Sequence, residues 1–232
     1  MILDVRLGAA AALVPRGARL ADIGSDHAYL PISLCLDGKI GCALASDINE
    51  GPVAAALSNI KKNRLSEKIT AIRADGLDGA LAFAPDCITV LGMGGELIVS
   101  ILDRAEWIRD EKITLVLQPM THPETLSRYL AENGFEVLDE VIVCDGGRDD
   151  RIYRIISARY CGVPYELDEA EALIGKRNIE RLDSVTVAYV ERLIRVLDVR
   201  IRGKKSAGQD AEADEALSNK LRYILEKKNE GN

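Results

Sequence analysis

The sequence LADIGSDHAYLP, residues 20–31, decides the fold of this chain. Its apolar start predicts a buried strand that breaks at Gly24 into a helix beginning near Ala28, with Asp22 and Asp26 at the break. In an α/β domain, a nucleotide-like cofactor binds at such an acid-x-Gly turn. Glycine lets the backbone approach the ligand, and free helix N–H groups and carboxylates meet its polar ends. We therefore predict a cofactor enzyme.

A second carboxylate, Asp47, ends the next apolar stretch, 25 residues after Asp22. This spacing is typical of an acidic residue that accepts hydrogen bonds from both hydroxyls of a ribose. The two carboxylates together favour a cofactor that carries a nucleoside.

Strands and helices alternate through the first 160 residues, and a first helix is predicted at 3–14. Near-continuous apolar strands separated by helices predict a parallel sheet covered on both faces. The last two strands are separated only by residues 145–148, which predicts a terminal β-hairpin. We expect an α/β fold of the Rossmann-like, class I methyltransferase type with a seven-stranded sheet. The predicted strands are 19–23, 42–46, 69–73, 87–91, 113–118, 135–143 and 151–158, and the helices between them are 28–37, 50–63, 76–82, 95–103 and 121–133.

The composition favours a soluble cytoplasmic protein with a large core. Hydrophobic residues make up 47% of the chain, but no apolar run approaches the ~20 residues that span a bilayer. Asp4 and Arg6 interrupt any signal-peptide pattern at the start. The five cysteines are scattered, without CxxC or Cys/His spacing, so we predict reduced core thiols and no metal.

The pattern changes after residue 160, which predicts two domains, 1–160 and 161–232. From Ile179, apolar residues at steps of three and four predict an amphipathic helix with the stripe Leu182, Val185, Tyr189, Leu193 and Val196. We expect a hinge at 203–208 and a second helix with Leu217, Leu221, Ile224 and Leu225 on one side. The tail is therefore predicted to be an antiparallel, coiled-coil-like helical hairpin.

Charge is unevenly distributed along the chain. The net charge is −7, which disfavours a nucleic-acid partner if taken as a sum. Residues 176–205, however, carry nine basic residues against four acidic ones. The tail thus has the charge of a polyanion-binding appendage on an acidic core.

The turn and several later segments resemble the bacterial TrmK family of tRNA (adenine-22-N1)-methyltransferases. Asp26 and Ala28 stand where the class I methyltransferase motif has its second and third glycines, and this departure is specific to the family. The further matching segments are DGL at 75–77, LGMGG at 91–95, LQPM at 117–120 and GF at 134–135. The resemblance spans about residues 3–160, and beyond that only the architecture agrees.

The resemblance implies S-adenosylmethionine as the cofactor. Asp22 and Gly24 would flank its methionine end, Asp47 with Ile48 its ribose, and Asp75 with Gly76 its adenine. The predicted cofactor residues are Asp22, Gly24, Asp26, Asp47, Ile48, Asp75, Gly76, Gly92 and Met93.

Asp26, His27 and Tyr29 are the candidate catalytic residues. Asp26 would lie near the sulfonium and the target base, although it also suits the N-cap of the following helix. His27 is either catalytic or a solvent-facing imidazole. Tyr29 either stacks on the base or is buried in its helix.

The loop at 92–95 stands where amino-group methyltransferases carry Asn/Asp-Pro-Pro-Tyr/Phe. Without those side chains, flexible backbone can approach a flat base closely. This suits attack by the ring nitrogen N1, whose lone pair lies in the ring plane and needs no prior deprotonation. The predicted RNA-binding residues are Gly94, Gly95, Gln118, Lys176, Arg177, Arg181, Arg192 and Arg195.

The leading hypothesis is a tRNA adenine-N1 methyltransferase, with position 22 implied by the resemblance alone. The alternatives are a methyltransferase for a small molecule and a non-catalytic cofactor-binding module whose tail serves protein interaction. Partners expected for the leading hypothesis are tRNA and neither membrane nor metal, and the protein is expected to be a monomer or weak oligomer.

Overall fold

We describe the protein from a computed structural model, which covers residues 2–146 and 151–230, without the side chains of 228–230. The chain divides into two compact units, Met1–Glu166 and Leu167–Asn232. The division falls slightly after the boundary predicted at residue 160. Each unit is described by itself below.

The first unit contains a seven-stranded sheet in the order β3-β2-β1-β4-β5-β7-β6. The first five strands pair in parallel, and β7 pairs antiparallel with both β5 and β6. The predicted fold and terminal antiparallel pair are confirmed, and residues 147 and 148 of the predicted turn lie outside the described residues. The strands are β1 Arg19–Ile23, β2 Cys42–Asp47, β3 Ile69–Arg73, β4 Cys87–Gly94, β5 Thr114–Thr121, β6 Phe135–Cys144 and β7 Ile152–Tyr160.

Helices cover the two faces of this sheet. The predicted helix at 76–82 is wrong, because Gly76 and Gly79 both adopt positive φ, 54° and 79°, and delay the helix to Ala80. The helices are α1 Val5–Leu13, α2 Tyr29–Leu36, α3 Glu50–Lys62, α4 Ala80–Phe83, α5 Gly95–Asp103 and α6 Pro123–Glu132, with a 3₁₀ turn at Glu106–Ile108.

The apolar core lies in two layers, one on each face of the sheet. Helices α1, α2 and α3 pack on one face, with Ile32 and Ile60 fully buried. Helices α4, α5 and α6 pack on the other, around Leu115 and Phe135. Each such side chain contributes about 1.5–3 kcal/mol to folding. This two-sided burial explains why the central strands are apolar along their whole length.

Two charged groups hold this unit together at specific points. Arg154 on β7 donates to Glu140 Oε2 on β6 at 2.7 and 3.0 Å and to Ser127 Oγ on α6 at 2.9 Å, and all three residues are buried. Lys39 Nζ donates to the carbonyls of Ala11 and Ala12 at 2.5 and 3.0 Å. Lys39 therefore satisfies the free carbonyls at the end of α1.

The second unit is made of helices. Asp168 and Glu171 form a capping box at the start of α7, and Asp183 accepts from the Thr186 N–H to cap α9. Helices α9 and α10 pack against each other, with Leu221 of α10 fully buried. The helices are α7 Glu169–Ile174, α8 Lys176–Arg181, α9 Ser184–Ser206 and α10 Glu212–Glu230.

Two sequence predictions for this unit are wrong in detail. Helix α9 continues through Gly203 to Ser206, so the turn starts later than the predicted hinge at 203–208. Of the predicted stripe, Val196 is 57% exposed, and the buried residues of α9 are Thr186, Val190, Ile194 and Leu197. The helix has apolar residues on more than one face, so periodicity alone selected the neighbouring stripe.

Among the described residues, none of the helices has both the length and the apolarity to cross a membrane. Within the same ranges, no cluster of three or more His, Cys, Asp or Glu side chains is placed to bind a metal ion.

Candidate active site

The candidate site is a crevice at the carboxyl edge of the parallel strands. Strand order reverses between β1 and β4, because the chain runs from β1 to β3 on one side and continues with β4 on the other. Ligands of open α/β sheets bind at this switch point. The cavity there has a volume of about 260 Å³ and is lined by residues 4, 6, 7, 22–30 and 91.

The turn after β1 forms one wall of the cavity. Gly24 has a φ of 73°, and a side chain at this position would collide with the Met93 methyl group. Ala28 takes the left-handed conformation, φ 55°, and precedes α2 without a side-chain cap. The alternative of Asp26 as the helix N-cap is therefore wrong. Ala28 offers no side-chain cap to the N–H groups of Tyr29 and Leu30 at the start of α2.

Asp22 is the buried carboxylate of the site, only 6% exposed. It accepts a hydrogen bond of 2.6 Å from Thr89 Oγ1 on β4. Burial raises its pKa, opposed by the hydroxyls of Ser25 and Thr89 and by the positive charge of Arg6. Ser25 also lines the cavity. Its buried hydroxyl lies close enough to Asp22 to lower the pKa of that carboxyl, but among the described residues no partner meets both the distance and the angle of a hydrogen bond. A polar group that enters the cavity would satisfy this hydroxyl.

Arg6 lines the same cavity and was not identified from the sequence. It lies on α1, whose N-cap Asp4 accepts from the Leu7 N–H at 2.7 Å. Arg6 Nη1 donates to Gln118 Oε1 at 3.1 Å. Its signal is weak but present, because Arg6 is the single charged residue in the otherwise apolar α1. The site thus presents a carboxylate and a guanidinium to one cavity.

Gln118 connects three parts of the site. It is fully buried, and its Oε1 accepts from Arg6 and from the Gly92 N–H at 3.1 Å, while Nε2 donates to the Pro119 carbonyl at 2.8 Å. Because the Gln118 side chain is buried and its amide is hydrogen-bonded within the protein, it does not face solvent, where RNA would bind. The predicted RNA contact of Gln118 is therefore corrected to a positioning role for Arg6 and the loop at Gly92.

The glycine-rich loop after β4 has two distinct halves. Gly92 is exposed, with a φ of 78°, and Met93 packs against Gly24. Gly95 is buried as the first residue of α5, and a Cβ there would strike the carbonyl oxygen of His122. The prediction that Gly95 contacts RNA is therefore replaced by a packing role. Gly94 precedes it, and a Cβ there would lie 3.1 Å from Thr121 Oγ1.

Asp26, His27 and Tyr29 lie together on the outer wall of the cavity. The Asp26 carboxylate is 3.3 Å from His27 Nε2. The rings of His27 and Tyr29 are stacked, with centroids 5.0 Å apart and an interplanar angle of 20°. Tyr29 is 43% exposed, so the alternative of a buried helix tyrosine is wrong. The structure brings the three candidate catalytic residues onto one accessible surface.

The remaining predicted cofactor residues follow the neighbouring strands along the same edge. Asp47 ends β2, and its Oδ1 accepts from the Asn49 N–H at 2.8 Å. Ile48 is 53% exposed. Asp75 and Gly76 follow β3, and Asp75 is paired with Arg104. These four residues lie outside the lining of the cavity, so a ligand must extend along the edge to reach them.

The predicted RNA-binding residues of the tail are exposed on its helices. Lys176, Arg177 and Arg181 lie on α8, and Arg192 and Arg195 lie on α9 away from its buried stripe. Further along α9, acidic residues of α10 neutralise part of the charge, since Arg200 and Lys204 both pair with Asp214. The basic residues predicted to contact RNA thus lie on α8 and on α9 before Arg200.

Comparison with known proteins identifies the class. Residues 3–156 match a protein family described as Methyltransferase domain. The chain therefore belongs to this family of methyltransferase domains. A protein of the NADB-Rossmann superfamily from Streptococcus agalactiae is 32% identical, with a TM-score of 0.84 and 97% of each chain covered.

More specific relatives are TrmK proteins, and the resemblance seen in the sequence is confirmed. The tRNA (adenine(22)-N(1))-methyltransferase of Bacillus subtilis is 38% identical over 146 residues, 63% of this chain. That alignment spans 61% of the relative's length. The structure of B. subtilis TrmK gives a TM-score of 0.79 at 28% identity, covering 97% of this chain and 98% of that one. The TrmK of M. capricolum, solved with S-adenosyl-homocysteine, gives 0.81 at 27%, covering 97% and 98%.

Proposed function

We propose that this chain transfers a methyl group from S-adenosylmethionine to N1 of adenine 22 in tRNA. One observation carries the proposal: the buried Asp22 and the half-buried Arg6 line one cavity at the switch point of a methyltransferase domain. The TrmK relatives, one of them solved with the demethylated cofactor, support the choice of substrate and cofactor.

The residues present fit S-adenosylmethionine, which supplies an electrophilic methyl group on sulfur when bound. Its methionine end carries an ammonium and a carboxylate, and the cavity offers Asp22 and Arg6 as opposite charges. The buried Ser25 hydroxyl provides a further polar contact. Gly24 keeps the wall free of side chains, since a Cβ there would collide with Met93. Gly92 and Met93 follow Leu91, which lines the cavity, and the resemblance assigns both to the cofactor.

The nucleoside would extend along the carboxyl edge. In this proposal Asp47, at the end of β2, holds the ribose with Ile48 beside it, and Asp75 with Gly76, after β3, holds the adenine. A carboxylate accepts hydrogen bonds from both ribose hydroxyls or from an amino group. These assignments come from the resemblance.

The target adenine would lie on the surface formed by Asp26, His27 and Tyr29. The stacked rings of His27 and Tyr29 offer an exposed aromatic face for a base that has left its stack. Asp26, with a side chain 68% exposed, would stabilise the cationic product or accept a proton from N6. Because N1 needs no prior deprotonation, the main task of the chain is alignment.

The tail would bind the tRNA backbone through Lys176, Arg177, Arg181, Arg192 and Arg195. In this proposal the first domain holds the cofactor and the base, and the helical tail holds the phosphates. Neutralised phosphates release counterions, so tRNA affinity should fall steeply with salt. A cytoplasmic location and a monomer or weak oligomer stay predictions.

The first test is methyl transfer itself. The purified protein is incubated with labelled S-adenosylmethionine and unmodified tRNA, and the methyl group is mapped by reverse-transcription stops. A stop at tRNA position 22 that is lost when guanine replaces the adenine there would support the proposal. Cofactor binding without transfer to any tRNA would overturn it and favour a small-molecule acceptor or a non-catalytic module.

Two isosteric variants separate the proposed roles. Asp22→Asn should weaken S-adenosylhomocysteine binding by about ten-fold or more, because a charge-assisted hydrogen bond is lost in a buried site. Asp26→Asn should lower kcat more than it weakens cofactor binding, because its exposed carboxylate is proposed to act on the target base. The opposite pattern, with D26N weakening cofactor binding and D22N only slowing turnover, would refute this assignment.

A further inference from the structure

Arg104, at the end of α5, forms a bidentate salt bridge with Asp75 in the loop after β3. Its Nη1 lies 3.0 Å from Asp75 Oδ2 and its Nη2 lies 3.1 Å from Asp75 Oδ1. The guanidinium also lies close to Gly76, because a Cβ at that position would be 3.1 Å from Arg104 Nη2. Gly76 has a φ of 54°, a conformation that favours glycine.

The Arg104–Asp75 contact is better suited to orienting the Asp75 carboxylate than to stabilising the fold. Arg104 and Asp75 are both about half exposed, and ion pairs at such sites contribute little to folding. The planar fork of an arginine, however, fixes the rotation of a carboxylate through both oxygens. Arg104 and its hydrogen bonds also hold the pKa of Asp75 below its usual value, so Asp75 stays an acceptor.

We propose that Arg104 is a specificity-determining positioning residue that aligns Asp75 to recognise the 6-amino group of the cofactor's adenine. The inference rests on the proposed function, in which Asp75 contacts that adenine. Arg104 occupies one acceptor site on each oxygen, and an ionised carboxylate has about four such sites. Acceptor sites therefore remain for the 6-amino donor. A 6-oxo purine offers an acceptor instead and is disfavoured by the same carboxylate.

The test compares two ligands that differ at this position, S-adenosylhomocysteine and its deaminated analogue S-inosylhomocysteine. Their dissociation constants are measured by calorimetry for the full-length wild type, Arg104→Gln, Arg104→Lys and Asp75→Asn. The matched control is Arg109→Gln, because Arg109 is another exposed arginine that donates to Asn133 Oδ1 at 3.0 Å. Thermal unfolding confirms that each variant is folded.

The wild type should prefer the adenosyl ligand, and R104Q should lose about ten-fold in affinity for it, the size of a charge-assisted hydrogen bond. Affinity for the inosyl ligand should stay unchanged, R104K should recover part of the preference, and R109Q should match the wild type. Combining R104Q with D75N should add nothing to D75N alone.

Equal losses for both ligands, or no loss in R104Q, would overturn the role of Arg104. Failure of the proposed function gives a different result: the wild type would bind S-adenosylhomocysteine and transfer no methyl group to any tRNA, or would bind neither ligand. In tRNA methylation, R104Q should raise the KM for S-adenosylmethionine by about the same ten-fold, because the residue acts on cofactor recognition.

Discussion

Replacing Gly95 by alanine tests whether this glycine packs the fold or contacts RNA. A Cβ at Gly95 would strike the carbonyl oxygen of His122 and come within 3.0 Å of the Thr121 carbonyl. Both obstacles are backbone atoms. His122 already has a left-handed φ of 51°, so the connection between β5 and α6 has little freedom to relax. We therefore expect G95A to destabilise the first unit.

The magnitude follows from two opposing contributions. Overpacking of this kind costs about 1–3 kcal/mol. The better helix propensity of alanine offsets at most about 1 kcal/mol. Because both obstacles are backbone atoms, the cost lies in the upper part of that range, about 2–3 kcal/mol. The net loss is therefore about 1–3 kcal/mol, which corresponds to a fall in Tm of about 2–12 °C for a unit of this size.

The matched control is Gly94→Ala. Its nearest obstacle is Thr121 Oγ1 at 3.1 Å, the end of a side chain that can rotate, so its effect on stability should stay within about 0.5 kcal/mol. Urea midpoints and thermal unfolding of the two variants and the wild type give the comparison. A G95A protein with wild-type stability would refute the packing argument. If that protein had also lost tRNA methylation, the result would support the sequence-based prediction that Gly95 contacts RNA.

Three further predictions concern charged groups. Glu140→Ala should cost about 3–5 kcal/mol in urea unfolding, because it removes the carboxylate that accepts two hydrogen bonds from the buried Arg154; adding Arg154→Met should recover much of the loss, and no recovery would contradict this. Lys39→Met should free the end of α1 and weaken S-adenosylhomocysteine binding several-fold by displacing Arg6, whereas unchanged calorimetry would exclude that link. Pairing with Lys204 and Arg200 lowers the pKa of Asp214. Its stabilisation is therefore present above pH ~4 and lost as pH falls through the lowered pKa, so wild type and Asp214→Asn should converge in stability in acid. A constant difference down to about pH 2 would be inconsistent with this pairing.

The sequence predicts the sheet well because most of its parallel strands are largely apolar runs bounded by glycine turns or charged residues. The same turns predict Asp22 and Gly24, since an acid-x-Gly break has few structural uses. Arg6 is different, because its place in the site depends on how α1 docks on the sheet. No local pattern reports that docking, apart from a lone charge in an apolar helix.

The sequence alone does not fix the orientation of a polar side chain at the end of a strand. It also does not fix which side of a helix is buried when apolar residues occur on several sides. Gln118 ends a buried stretch, and its amide can equally point outward to a ligand or inward to Arg6 and Gly92. In α9, Val196 and Ile194 are equally apolar, and only the position of α10 selects which one is buried. In both cases tertiary contacts decide between alternatives that the local sequence leaves equal.

The place of β7 has a consequence for the order in which the chain can fold. This strand is the last of the sheet to be synthesised, yet it lies inside the sheet, between β5 and β6. Until residues 152–160 have emerged, β5 is an open edge and β6 has no partner to pair with. Unpaired edges recruit other chains. A nascent or truncated chain that ends before β7 should therefore aggregate, and completion of the sheet waits for the final strand.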